Sequence, residues 1–257
     1  MTPNNSIFQF VTTPAPRYMM RLSLVQRLIR SISTPVRRFA EIGPGLGDTA
    51  LFLAQEFPES RGNLIEFSED SVEYLRRRTV GSTRLSVASG DFREFPGSEI
   101  YDLVVACEVL EHLEDDTSAF RAVNRMLRPG GYFLLSVPAF MRKWQAVDQY
   151  AGHFRRYERE ELVQQLTASQ LQIVKFWCYG FPITQIMALP RELYYKKRLR
   201  DQPLSKIDAT KRSGIDKSAA RKFHRLPAAT LMSPFFLLQD LMKNTNIGDG
   251  YIVLARK

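Results

Sequence analysis

Short apolar runs alternating with helical patterns predict an α/β chain built on an open, mostly parallel sheet with helices on both faces. Runs at 38–42, 63–67, 85–88, 101–106 and 132–137 are the nearly continuous apolar stretches of strands buried on both sides. Helical patterns at 49–56, 69–78 and 118–127 fall between them, the last ending at Pro129-Gly130-Gly131, a helix stop and turn. Two further strand candidates, 171–179 and 251–255, bring the sheet to seven. About 70 residues separate this last pair, too many for an unstructured loop, so a helical cap inserted between the last two strands is expected.

Ahead of the sheet, residues 20–31 place Leu22, Leu24, Val25, Leu28 and Ile29 close to helical spacing before a Ser-Thr-Pro breaker at 33–35. The expected organisation is an N-terminal helical lid over 1–36, a core over 37–179 and 249–257, and a basic helical cap over 180–248. Apolar stretches at 181–189 and 226–242 form the underside of that cap or an amphipathic surface helix.

Of the 257 residues, 44% are hydrophobic and 25% charged, which excludes collagen-like and wholly disordered chains. No run of about 18 apolar residues occurs and the first residues lack a secretory pattern, so a cytoplasmic protein is expected. Cys107 and Cys178 match neither a disulfide framework nor zinc-ligand spacing. The net charge of +9 lies wholly in 180–257, because 1–179 carries 21 basic and 21 acidic residues. A solvated helical face and a footprint for an anionic partner both fit this excess, the partner being a phosphorylated substrate, an anionic membrane surface contacted peripherally, or nucleic acid. His224, inside the basic stretch, is expected to be solvated.

The segment Ala40-Glu41-Ile42-Gly43-Pro44-Gly45-Leu46-Gly47-Asp48 follows the first strand and precedes a helix. Its glycines allow a sharp turn and let a ligand approach the backbone. Glu66 closes the second strand, where a carboxylate can take both hydroxyls of a ribose, so adenosine is indicated. That position alone does not separate a dinucleotide from other adenosine cofactors. The third glycine comes one residue early for the pyrophosphate-binding pattern.

Further strings follow in order: Gly90-Asp91-Phe92 after the third strand, Y-D-L-V-V-A-C-E-V-L-E-H over 101–112, and L-R-P-G-G-Y over 127–132. Together with the glycine loop they span 39–138 and closely resemble class I S-adenosylmethionine-dependent methyltransferases. Among these the chain is most similar to the ubiquinone-biosynthesis O-methyltransferases and related small-molecule enzymes. The resemblance implies a Rossmann-like seven-stranded core, S-adenosyl-L-methionine as cofactor with S-adenosyl-L-homocysteine as product, and methyl transfer, an EC 2.1.1 activity. It sets the cofactor's methionine part against Glu41, Gly43, Gly45 and Gly47 and its ribose on Glu66, with Phe67 flanking the adenine. Asp91 takes the adenine amino group, Phe92 lies beside the ring, and the backbone at Cys107 and Glu108 closes over the amino end. Structural roles for Cys107, Glu108, Glu111 and His112 compete with these, and His112 is also a candidate substrate contact.

Methyl transfer is an in-line displacement in which positioning does most of the work, and a hydroxyl acceptor must also lose a proton. Of three histidines, His153 lies just after the fifth strand, where loops at the carboxyl ends of strands form the ligand crevice. It is the candidate base. The G-H-x-R-R-Y string around it recurs beside the acceptor pocket in similar enzymes, and Arg155, Arg156 and Tyr157 are candidate ligands for an anionic or phenolic acceptor. A structural alternative has His153 and Arg156 tying the loop to a helix while Asp148 pairs with an arginine. Tyr18, in the lid helix, is a further substrate-contact candidate.

The expected acceptor is a small molecule, an oxygen of a largely apolar or anionic metabolite such as a quinone, polyketide or prenylated compound. N- or C-methylation of a natural product is the alternative. RNA methylation through the basic cap, with Tyr194, Tyr195 and Phe223 interleaved, is less favoured because no known RNA-binding module or Asn/Asp-Pro-Pro-Tyr-type string is present. No metal is expected, since no His and carboxylate cluster with ligand spacing is visible along the chain. The sequence leaves the acceptor's identity and the oligomeric state open.

Overall fold

A computed structural model describes residues 6–95, 100–201, 205–213 and 228–257. His224, Phe223, Leu226 and Pro227, named above, lie outside the described residues.

Seven strands form one sheet: β1 (Arg38–Ile42), β2 (Arg61–Glu66), β3 (Leu85–Ser89), β4 (Tyr101–Cys107), β5 (Leu127–Pro138), β6 (Gln172–Tyr179) and β7 (Gly250–Arg256), in the order β3-β2-β1-β4-β5-β7-β6. β1 pairs in parallel with β2 and β4, while β7 runs antiparallel between β5 and β6. The chain therefore reverses its winding between β1 and β4, the switch point at which open α/β sheets leave a crevice.

Helices α1 (Pro16–Arg30) and α2 (Asp48–Glu56) cover one face, α3 (Glu69–Arg78) flanks β2 and β3, and α4 (Asp116–Met126) lies on the other face. After β5 come α5 (Ala146–Ala151) and α6 (Arg159–Ala168), and between β6 and β7 come α7 (Ile183–Ile186), α8 (Ala188–Asp201), α9 (Lys206–Ser213) and α10 (Ala228–Met242). Side chains alternate across the sheet as the period of two requires. Phe39, Leu103, Val105 and Leu134 pack against α1 and α2, whereas Ala40, Val104, Ala106 and Phe133 pack against α4 and α6.

Two expectations from sequence need correction. The first helix begins at Pro16, not at residue 20, because proline at the first helical position has a fixed φ and no N–H to satisfy. It is also more than a lid: Leu22, Leu24, Val25, Leu28 and Ile29 are fully buried against the sheet. Pro129-Gly130-Gly131, expected as a turn, lies inside β5. Leu127 already pairs with Tyr101, the Gly130 N–H donates to the Lys257 carbonyl at 2.9 Å, and the Lys257 N–H donates to Gly131 at 3.0 Å. The positive φ of Gly130 kinks the strand there without ending it.

The inserted helices pack over the carboxyl end of the sheet. Met232 of α10 meets Met19 and Met20 of α1, and Ala209 of α9 sits against Gly152 at the end of α5. Leu231, Leu237 and Leu241 of α10 are exposed. No helix among the described residues is long and apolar enough to cross a membrane.

At the amino end of the central strands, buried Asp102 of β4 organises the entry into β1. One carboxylate oxygen accepts the Arg37 and Arg38 N–H groups at 2.6 and 2.7 Å, and the other pairs with Arg128. Asp102→Ala leaves two backbone donors without their acceptor and is expected to cost about 2–4 kcal/mol in urea unfolding, with Asp102→Asn costing clearly less because its carbonyl still accepts. Equal losses in the two variants would contradict this role.

Candidate functional site

A cavity of about 510 Å³ opens at the switch point, walled by α1, the glycine loop, the end of β4, the α5 loop and the helices after β6. Gly43 and Gly45 line it with φ of +59° and +54°, and a Cβ on Gly43 would stand 2.7 Å from a Val109 methyl. Only glycine presents bare backbone there.

Glu41, at the wall behind the loop, is 3% exposed and one of its carboxylate oxygens has no hydrogen-bond partner. Burial, reinforced by Asp48, pushes its carboxyl up to about 8, against an opposing pull from Arg21. An unpartnered, buried carboxylate oxygen beside open backbone suits a ligand ammonium, so the residues present fit the amino-acid end of the cofactor the sequence implied.

Glu66 and Asp91 stand elsewhere. Glu66 accepts the Phe67 and Ser68 N–H groups at 2.8 and 3.0 Å and the Gly45 N–H at 3.3 Å, fastening the glycine loop to the end of β2. Asp91 caps the turn after β3 through the Arg93 N–H and pairs with the Arg93 side chain, whose hydrogen bond holds its carboxyl below the usual range. Phe67 is exposed beside Glu66, and Phe92 is buried in the core. None of these four lines the cavity, nor does Gly47, which is the left-handed N-cap of α2. Glu66, Phe67, Asp91 and Phe92 lie at or just beyond the ends of β2 and β3.

Cys107 and Glu108 end β4 at the cavity wall. The Cys107 thiol is pushed up to about 11 by burial and is inert as a nucleophile at neutral pH. Glu108 has a φ of +59°, and its side chain, not only its backbone, is engaged. It accepts the Tyr179 hydroxyl at 2.7 Å and the Ser136 hydroxyl at 3.2 Å and pairs with Arg17 and Arg21. Burial alone would raise its pKa, but the two guanidiniums prevail and hold it well below the usual range.

His153 and His112 meet edge to face at 4.7 Å on the opposite wall. His153 Nδ1 lies 3.0 Å from Asp148 Oδ1, and Nε2 lies 3.9 Å from buried Glu111, whose carboxylate oxygens have no partner. Burial holds Glu111 well above the ordinary carboxylate range, and the nearby Glu108 charge adds to this. His112, its Nδ1 at 3.2 Å from the Thr210 hydroxyl, is held down to about 3 by burial and by His153. Glu111, His112 and His153 each offer one ligand-type atom, all within 4.8 Å of one another. Spacing along the chain concealed this group, which only the fold assembles.

Arg155, Arg156 and Tyr157 do not reach the cavity, which corrects their reading as acceptor ligands. Arg155 pairs with Asp116 at 3.0 Å, and the buried Tyr157 hydroxyl donates to the same carboxylate at 2.6 Å. Arg156 is fully engaged by Asp148, Asp249 and the Ala139 carbonyl, which matches the structural alternative. Tyr18 lines the cavity with its ring while its hydroxyl donates to Asp48 at 2.7 Å. Sequence reasoning missed Arg17 and Arg191 as wall residues: each lies on a helix whose local pattern shows only another exposed-looking arginine.

A family model described as a methyltransferase domain matches residues 16–175. Nodulation protein S of Sinorhizobium fredii (strain NBRC 101917 / NGR234) is 26% identical over 178 residues, covering 67% of this chain and 74% of that protein. The ubiquinone biosynthesis O-methyltransferase of Bordetella avium (strain 197N) is 29% identical over 124 residues, 46% of this chain and 48% of its own length. A solved S-adenosylmethionine-dependent methyltransferase from Mesorhizobium loti shares the fold with a TM-score of 0.57 at 16% identity, covering 90% of this chain and 96% of that one.

The depressed pKa of His112 has a measurable consequence. It stays neutral in the folded chain down to about pH 3 but protonates near 6.5 when unfolded, so its contribution to stability is present above pH 6.5 and is lost as pH falls toward 3. Glu41 acts oppositely, its contribution being lost as pH rises from about 4.5 through 8. Comparing His112→Asn with the unchanged chain isolates the histidine. The variant is expected to lose up to about 1.4 kcal/mol less per pH unit in urea unfolding between pH 6 and 4. Parallel curves would show that His112 titrates normally.

Proposed function

The chain belongs to the methyltransferase domain family and is an S-adenosylmethionine-dependent methyltransferase, and from that premise we propose that it methylates an oxygen of a small, largely apolar acceptor with His153 as the proton acceptor. The observation that carries this reading is the pairing of His153 with Asp148 on the cavity wall facing the glycine loop. When Nδ1–H donates to Asp148, Nε2 keeps its lone pair for an acceptor hydroxyl.

When bound, S-adenosylmethionine supplies an electrophilic methyl carbon on a sulfonium. Glu41 would hold the ammonium, and Gly43 and Gly45 would receive the chain beyond it through backbone alone. Glu66, Phe67 and Asp91 would take the adenosine at the ends of β2 and β3, Glu66 exchanging part of its amide contacts for ribose hydroxyls. Asp148 is the positioning residue for His153. It is held down to about 2 because the His153 and Arg156 contacts outweigh the rise that burial alone would cause, so it remains ionised and favours the imidazolium that forms when a proton arrives. Val147, Ala151, Ile183 and Met187 supply apolar wall for the acceptor body and keep water from the line of transfer. The cap over 180–248 would shape that half of the cavity, which supports a small molecule over RNA as the acceptor. A quinone, polyketide or prenylated compound fits such a wall.

His153→Ala is expected to lower kcat by about 10²–10⁴-fold while the affinity for S-adenosylhomocysteine stays within about twofold. Asp148→Asn should follow in the same direction with a shifted acid limb of the pH–rate profile. Near-normal turnover in His153→Ala would remove the proposed base. Turnover that survives dialysis against a chelator separates this role from one in which Glu111, His112 and His153 hold a cation.

A further inference from the structure

Asp249, immediately before β7, is buried and shared by three guanidiniums. Its Oδ1 accepts Arg156 Nη1 at 3.1 Å, while its Oδ2 faces Arg17 Nε at 3.1 Å and Arg191 Nη1 at 3.5 Å. Arg156 also holds Asp148, and Arg17 also holds Glu108. Among the described residues, Asp249 is the one carboxylate at ion-pair distance from Arg191, with Asp148 acting on it from farther away; its remaining side-chain contacts are Nη2 and Nε to the neutral Gln145 side-chain carbonyl at 2.8 and 3.3 Å.

Arg191 lies on the first turns of α8 and lines the cavity, with Met187 one turn before it and Tyr194 after it on the same wall. Its side chain is 16% exposed, so water compensates little of the charge. The local charges do not balance either. Among the described residues, Arg17, Arg21, Arg156 and Arg191 have three carboxylates at ion-pair distance between them, Glu108, Asp148 and Asp249. Burial also pulls the Arg191 pKa down, and Arg17 and Arg156 add to that against Asp249, whereas Arg17 is raised well above its ordinary value by its carboxylates. Bound S-adenosylmethionine adds no net negative charge to this region, its sulfonium and ammonium outweighing its carboxylate.

We infer that the acceptor carries a negatively charged group, a carboxylate or a phosphate, seated against Arg191 on the cap side of the cavity, with its apolar body along Met187 and Ile183. The inference rests on the reading of this cavity as the acceptor site. It assigns recognition of the anion to Arg191, in place of the arginines after His153 that the sequence suggested. The anion is a handle for orientation; the methylated atom is a separate group presented to His153.

The test is calorimetric titration of the S-adenosylhomocysteine-loaded protein with decanoate, decyl phosphate and decanol, probes that share one chain and differ in the head. At least one anion is expected to bind at least about tenfold more tightly than decanol, and the stronger of the two identifies the head group. Arg191→Gln should abolish that preference with unchanged affinity for S-adenosylhomocysteine, and Arg191→Lys should keep part of it, which shows that charge and not folding is being read. Equal binding of decanol and the anions overturns the inference, as does a preference that survives Arg191→Gln, or no binding of either anion by a protein that still takes up S-adenosylhomocysteine. Failure to bind S-adenosylhomocysteine at all is a different result: it removes the cofactor premise, and the inference falls with it.

Discussion

The carboxylate of Asp249 is the constraint on which the site depends. Arg17 comes from the first helix, Arg156 from the loop after β5, and Arg191 from the helices between β6 and β7, and all three converge on one buried side chain at the start of β7. Four guanidinium groups in a largely dehydrated region would repel one another strongly. Interleaving them with Asp249, Asp148 and Glu108 converts that repulsion into a lattice in which removing Asp249 strands Arg191 and removing Glu108 strands Arg21, while Asp148 shares Arg156 with Asp249. The cap, the N-terminal helix and the His153 loop meet at this lattice, and the cavity lies between them.

The same region carries costs that the rest of the fold must offset. Glu41 and Glu111 are buried with unpartnered oxygens, and Glu108 adopts a backbone conformation uncommon for a residue with a side chain. Such groups cluster where the chain leaves β1 and β4, and hydrophobic packing accounts for their tolerance. Fully buried Phe39, Leu103 and Leu134 on one face, and Phe120, Phe133 and Val104 on the other, hold the two strands and their helices rigidly behind the loops. The unpartnered Glu41 oxygen therefore lies on the cavity side of an apolar slab, where a ligand can reach it.

Much of this was legible in the sequence, and the reason is physical. Strands that carry the core read as apolar runs, so all seven lie within a few residues of the ends the sequence predicts apart from the extended start of β5, and the helix Glu69–Arg78 matches to the residue. Positive φ at Gly43 and Gly45 is what a glycine loop between strand and helix requires. Other features depend on distance in space and leave no local trace. Arg156 and Tyr157 look like exposed polar residues in a loop, yet both are buried, because their partners Asp249 and Asp116 arrive from other elements. The approach of Glu111, His112 and His153 is of the same kind: His153 is brought back across the cavity by the Asp148 and Arg156 contacts.

This difference divides the site into two halves with different origins. The wall that faces the cofactor is made by residues next to strand ends in the continuous stretch from β1 to β4, so its geometry is set once the sheet forms. The wall that the proposed function gives to the acceptor is assembled from α1, the α5 loop and α8, segments joined by ion pairs to Asp249 and, for α1, packed on the sheet through apolar side chains. Substitutions in α8 can change what the cavity accepts while the sheet, the glycine loop and Glu41 stay as they are, because α8 touches the core through side chains alone. Arg191 is the exception that couples them: it lines the cavity and pairs with Asp249, so the proposed acceptor contact and the anchoring of α8 depend on the same charge.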